Sequence, residues 1–151
     1  MSSLTCRIAC DTDIAVLLEM MNSFNALEQT PWEPHAKERA LRTLLADVNL
    51  GVAALLIAVD APVGYFVVTW GYDLEWDGRD AFLTELFLEA SARSQGLGKQ
   101  AMMLVELTAR EHDARALHLM VRDENLAARR LYAGCGYVSP PRIFLSKPLG
   151  A

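Results

Sequence analysis

Three apolar, strand-forming runs follow one another with almost nothing between them, and this crowding limits the possible folds more than any other feature. They cover residues 52–59, 63–72 and 81–88 and are rich in β-branched and aromatic side chains. Asp60-Ala61-Pro62 separates the first two, and Trp76-Asp77-Gly78-Arg79, with its Asp-Gly pair, separates the last two. Strands joined this tightly pair antiparallel. A helix then opens near Gly96 to Gly98 and runs to about His112, and residues 116–121 form another strand. Strand, helix, strand is a crossover, so those two strands are expected to be parallel. The predicted sheet is therefore mixed.

The flanking segments fill in an α/β architecture. Residues 4–9 read as a short strand. Asp11-Thr12-Asp13 offers capping oxygens to a helix that buries Ile14, Leu17, Leu18 and Met21, with Phe24 and Leu27 extending the face. Thr30-Pro31-Trp32-Glu33-Pro34 breaks that helix, and a second covers residues 35–47 with Ala40, Leu41, Leu44 and Leu45 inward. A last helix starts at Asp123 or Glu124 and reaches about Ala133. Residues 137–138 and 142–149 are expected to be final strands around Pro140-Pro141.

At 151 residues the chain suits one domain, spanning 1–151. With 52% hydrophobic and 22% charged residues it has ordinary globular composition and not that of a disordered chain. Its net charge of −5 argues against general nucleic-acid binding, which needs Lys and Arg on phosphates, and suits a cationic substrate. Cys6, Cys10 and Cys135 show no disulfide framework, and His35, His112 and His118 show no ligand spacing, so no metal is expected. No basic segment precedes an apolar run at the N-terminus, and no run approaches the about 20 residues of a membrane span. A cytoplasmic setting without membrane contact is the expectation.

Arg93-Ser94-Gln95-Gly96-Leu97-Gly98-Lys99 lies between a strand and a helix. Glycines at i and i+2 let the backbone approach a ligand, and free N–H groups at a helix start favour an anion. A Walker loop is excluded by Arg93 where its first glycine belongs and by Gln100 after the lysine. Gly96-x-Gly98-x-x-Ala101 does fit a dinucleotide-binding fingerprint, but too little chain follows it, and the antiparallel strands upstream do not suit a doubly wound sheet. A phosphate cradle for a nucleotide-bearing cofactor and a ligand-free glycine turn remain.

The loop also resembles the Q/R-x-x-G-x-G/A signature of the GNAT superfamily of acetyl-CoA-dependent N-acetyltransferases, through Arg93, Gly96 and Gly98. That family's next helix reads N-x-x-A-x-x-L-Y-x-x-x-G-F/Y, matched here by Asn125, Ala128, Leu131, Tyr132, Gly136 and Tyr137. The resemblance implies a twisted, mostly antiparallel sheet with a splayed central parallel pair, flanked by about four helices. It implies acetyl-CoA in the splay, with the main chain of Leu86, Phe87 and Leu88 pairing with pantetheine. Arg93, Ser94, Gln95, Gly96, Leu97, Gly98 and Lys99 would hold the pyrophosphate, and Asn125 the pantetheine arm.

Transfer to an amine needs a base for the ammonium and an acid for the departing thiolate. By resemblance Tyr132 is the acid, against the alternative of a packed core tyrosine. Glu85, a carboxylate in a largely apolar strand, is the candidate base, against the alternative of a buried ion pair with Arg122 or Arg79. Glu28, Trp32, Trp70, Tyr72, Asp73, Glu75 and Trp76 fall in segments that border the acceptor cleft of the family and suit a cationic amine. The resemblance is also compatible with a homodimer, and with a catalytically weak acyl-CoA-binding sensor of the same fold.

Overall fold

In a computed structural model that describes residues 3–150, the chain divides into two compact units, with the boundary between Met120 and Val121. The first holds β1 (Thr5–Ile8), α1 (Ile14–Glu28), α2 (Pro34–Ala46), β2 (Gly51–Ala58), β3 (Ala61–Asp73), β4 (Gly78–Leu88), α3 (Leu97–Glu111) and β5 (Leu117–Leu119). The second holds α4 (Leu126–Gly134). Among the described residues this is a mixed α/β fold of one five-stranded sheet and four helices.

The strands lie side by side in chain order, β1 to β5. The first three pairings are antiparallel, and β4 with β5 is parallel. The hairpin between β2 and β3 turns on Val59 and Asp60, at φ 49° and 61°, one step earlier than the Asp60-Ala61-Pro62 turn expected. Two consecutive residues at positive φ match the right-handed twist of the strands they join.

Alternation along β2 divides the core. Ala53 and Leu55 pack with Leu17, Met20 and Met21 of α1 and Leu41 of α2, together with Tyr65, Val67 and Phe87. Ala54 and Leu56 point to the opposite face and are equally buried. The helix α3, which buries Met102 and Val105, packs on β3 and β4. Of the side chains expected inward, Leu27 and Ala40 stand exposed, because each falls off the stripe its helix turns to the sheet. The helix α2 starts one residue before the expected His35: Pro34 takes the first helical position, and the Glu33 carboxylate, not foreseen as a cap, accepts from His35 N–H (3.2 Å). Asp13 does not cap α1; its carboxylate turns back to the Cys10 N–H and to the Arg7 guanidinium, both at 2.9 Å.

The expected final strands are not formed. After β5 no residue of the described chain joins the sheet. Pro140, Pro141 and Pro148 lack the N–H a ladder needs. Ile143, Leu145 and Leu149 are 87%, 86% and 93% exposed.

Candidate active site

The site begins with a defect in β4. Its register with β3 slips between Val67 and Val68: Val67 faces Glu85 but Val68 faces Leu83, so Thr84 is the extra residue of a bulge. Upstream, the Ala81 N–H bonds to the Ala116 carbonyl on the β5 side (2.8 Å). Downstream, the Glu89 N–H bonds back to Val63 (2.8 Å), and the Phe87 carbonyl faces β3 closely enough to collide with any side chain at Gly64. Alternation then turns the N–H and C=O groups of Leu86 and Leu88 away from β3. The β5 strand pairs only with Ala81, Phe82 and Leu83, so it offers them no partner. Of the three residues expected to present main-chain groups, Leu86 and Leu88 do so, while the main chain of Phe87 is turned to β3.

The glycine loop follows at once. Ser94 and Gly96 take left-handed backbone conformations, at φ 63° and 73°. A Cβ added at Gly96 would meet nothing within 4 Å, so the glycine serves its φ and leaves open space at the start of α3. Leu97 anchors the turn in the core at 2% exposure, leaving only its main chain to the loop, while Lys99 is exposed. The Gln95 amide donates to the Ser91 carbonyl (2.7 Å). Arg93 folds back: its Nε donates to the Leu88 carbonyl (2.8 Å), and its guanidinium lies 5.6 Å from the Phe87 ring centre. In this state the side chain braces the end of β4 and is not spread toward a pyrophosphate. Gln100, unexplained by sequence, accepts from the Leu4 N–H (2.9 Å) and ties β1 to α3.

Beside the bulge, the Glu85 side chain is only 14% exposed. Burial pushes its carboxyl above the usual range, and the nearby ammonium of Lys37, 3.8 Å from Oε1, offsets this only in part. Of the two partners considered from sequence, Arg79 is engaged elsewhere, donating to the His112 carbonyl (3.2 Å) and lying over Trp70, while Arg122 belongs to the second unit and pairs there with Glu124 (2.7 Å). Tyr65, fully buried, carries the only buried side-chain polar atom without a hydrogen-bond partner among the described residues, and the charge of Glu85 together with burial keeps its hydroxyl protonated.

The aromatic residues expected at the acceptor cleft separate. Trp32 approaches Lys37, with 5.9 Å from ring centre to ammonium. Trp70 donates to the Val48 carbonyl (2.8 Å) and stacks on His112, a structural post. Trp76 lies 5.9 Å from His118, which reaches Asp80 at 3.2 Å. Tyr72 is exposed, and Asp73 accepts from the Glu75 N–H (2.9 Å).

In the second unit, Asn125 caps α4 by accepting from the Ala128 N–H (3.1 Å), a use of its carbonyl oxygen that leaves the amide nitrogen for other work. Tyr132 is half-buried on α4 and meets Tyr137 edge to face at 6.1 Å.

A family model described as the acetyltransferase (GNAT) family matches residues 17–137, well over half of the chain. The chain belongs to that family. Thialysine N-epsilon-acetyltransferase of Bos taurus is 28% identical over 141 residues, covering 86% of this GNAT chain and 81% of that protein. Among solved structures, an integron cassette protein from the mobile metagenome of Cole Harbour Salt Marsh superposes with a TM-score of 0.85 at 27% identity, over 97% of this chain and 91% of that one. An aminoglycoside N-acetyltransferase in complex with CoA shares the fold, with a TM-score of 0.82 at 15% identity over 99% and 97% of the two chains. This GNAT enzyme is an acetyltransferase by family, and the family's fold binds acetyl-CoA. Among the described residues no cluster of His, Cys, Asp and Glu could hold a metal ion, and no helix is long and apolar enough to cross a membrane.

Proposed function

We propose that residues 1–151 act as one N-acetyltransferase domain that moves an acetyl group from acetyl-CoA directly to a small cationic amine while both are bound. The observation that carries this reading is the free edge of β4: the main-chain groups of Leu86 and the N–H of Leu88 meet no strand, and such groups need partners. The Leu88 carbonyl alone is held, by Arg93. Pantetheine amides would pair there as an added strand. Ser94 to Lys99 would receive the pyrophosphate at the start of α3, where N–H groups and the helix dipole favour anions. The amide nitrogen of Asn125 would donate to the pantetheine arm.

Bound acetyl-CoA would supply the acetyl group as a thioester. Glu85 would accept a proton from the acceptor ammonium, freeing the nitrogen to form its bond to the acetyl carbon as the carbon–sulfur bond breaks. Its raised carboxyl pKa suits a base that works near neutrality. The Tyr132 hydroxyl would give its proton to the departing sulfur, and the second proton that the nitrogen sheds in becoming an amide would restore that hydroxyl by way of solvent. A relative named for acetylating the ε-nitrogen of thialysine supports a primary alkylamine as acceptor.

The test is a pH–rate profile of CoA thiol release with one good acceptor. Tyr132→Phe should keep coenzyme affinity and lose turnover by about 10²-fold. Glu85→Gln should lose most at low pH and recover as pH rises, because free amine needs no base. Unchanged turnover in Tyr132→Phe removes the acid. A Glu85→Gln defect confined to the acceptor KM at every pH makes Glu85 an anchor. A chain that binds acetyl-CoA but releases no thiol with any amine is a sensor.

A further inference from the structure

The group nearest Glu85 is one that the proposed transfer does not use. Lys37 stands in the first turn of α2, its N–H bonded to the Glu33 carbonyl (3.0 Å). Its ammonium lies 3.8 Å from Glu85 Oε1 and 5.9 Å from the Trp32 ring centre. A carboxylate and an aromatic face are together what binds an alkyl ammonium. The protein has therefore built a cation subsite beside β4 and placed one of its own side chains in it.

Three observations mark this occupant as replaceable. The separation is long: Arg7 meets Asp13 at 2.9 Å and Arg42 meets Glu38 at 2.7 Å, contact distances that Lys37 does not reach. The exposure is lopsided, 31% for the lysine side chain against 14% for the glutamate, so the lysine side chain is the better exposed to water of the two. The neutralisation is incomplete, since burial raises the Glu85 carboxyl more than Lys37 lowers it. The groups acting on Glu85 are Lys37 from α2 and the fully buried Tyr65 from β3, whose hydroxyl has no partner.

We propose that Lys37 is a tethered stand-in for the acceptor: the Trp32–Glu85 subsite takes a primary alkyl ammonium on a slim, unbranched chain, and Lys37 swings out to water to admit it. This rests on the reading of Glu85 as the group that meets the acceptor. An internal competitor weakens apparent affinity by the fraction of time it holds the site. It also selects, because only a cation with lysine-like reach replaces what it displaces.

The experiment is calorimetric titration of n-pentylammonium into the CoA-saturated protein, which needs no turnover. Variants are Lys37→Met, Lys37→Arg, Glu85→Gln and Glu85→Gln with Lys37→Met, each checked for a single cooperative melting transition in its CoA complex. Lys37→Met should bind n-pentylammonium about 2- to 5-fold more tightly, the scale of a partly exposed ion pair. Lys37→Arg should bind no better than wild type. Glu85→Gln should bind more weakly, and in that background Lys37→Met should bring no gain. Equal or weaker binding by Lys37→Met overturns the proposal, as does hexanoate binding that Lys37→Met abolishes, which would make Lys37 the receiver of an acid. Impaired Glu85→Gln beside an unaltered Lys37→Met sinks the stand-in alone. Glu85→Gln with wild-type binding and a wild-type pH–rate profile sinks the Glu85 reading and the stand-in together.

Discussion

The two halves of β4 are made from similar residues and do different things. Ala81, Phe82 and Leu83 are laddered to β3 on one side and β5 on the other. Leu86, Phe87 and Leu88 are laddered to β3 alone. Nothing in the apolar content of the two stretches separates them. The difference is one inserted residue, Thr84, and a neighbour that stops at Leu119. The upstream half spends its hydrogen bonds on the fold, whereas the downstream half holds some unspent. A strand can thus be structural and receptive within one run of eight residues, and the division lies in partnering.

Proline substitution is the sharpest way to break this comparison. Leu83→Pro should be the most damaging change: it removes a 5%-exposed side chain and a doubly flanked ladder bond, at a cost of about 3–6 kcal/mol. Denaturant unfolding should show the native state largely lost. Leu88→Pro deletes an N–H turned to the free edge, where proline is tolerated, and should leave a folded protein. Its gain in Tm from acetyl-CoA should shrink strongly. Equal damage from both would mean the halves do not differ.

A milder test uses pH. The Glu85 carboxyl is raised in the folded state, so its ionisation opposes folding: below the unfolded carboxyl pKa it contributes nothing, and stability falls as pH climbs through the raised folded value. Glu85→Gln should therefore match wild type in Tm near pH 4 and exceed it near pH 7. A Tm difference that ran the other way would make Lys37 the dominant influence on Glu85.

The smallest expected effect sharpens how much of the coenzyme's hold belongs to the free edge. Asn125→Asp keeps an oxygen for the Ala128 N–H, and so keeps the cap of α4, but loses the amide donor. Acetyl-CoA affinity should fall by only about 0.5–1.5 kcal/mol, the worth of one hydrogen bond. Asn125→Ala should add the loss of the cap, about 1 kcal/mol in helix stability. Titration of acetyl-CoA into both variants, beside their circular dichroism, separates the two roles.

Elements set by local pattern were legible. The three crowded strands, the crossover to β5 and the break between α1 and α2 follow from spacing, turn residues and proline, and the motif from Asn125 to Tyr137 carried the family. What escaped depends on a second stretch of chain. The Thr84 bulge is a relation between β3 and β4, invisible in either alone. The pairing of Glu85 with Lys37 joins a strand to a distant helix, a relation that no spacing within β4 records. Arg93 matched the loop signature in identity, but its side chain answers to the Leu88 carbonyl, a partner set by how β4 ends. The expected final strands had apolar residues, but Pro140, Pro141 and Pro148 interrupt the N–H groups a ladder needs.

The agreement between strand order and chain order has a kinetic consequence. Each strand of the meander from β2 to β4 finds its partner across a short turn, so little loop entropy must be lost before pairing is rewarded. The other two pairings are more distant: two helices separate β1 from β2, and α3 separates β4 from β5. During synthesis β2, β3 and β4 can zip in the order in which they leave the ribosome. The bulge that frees Leu86 and Leu88 is then written early, before β5 and α4 exist as chain.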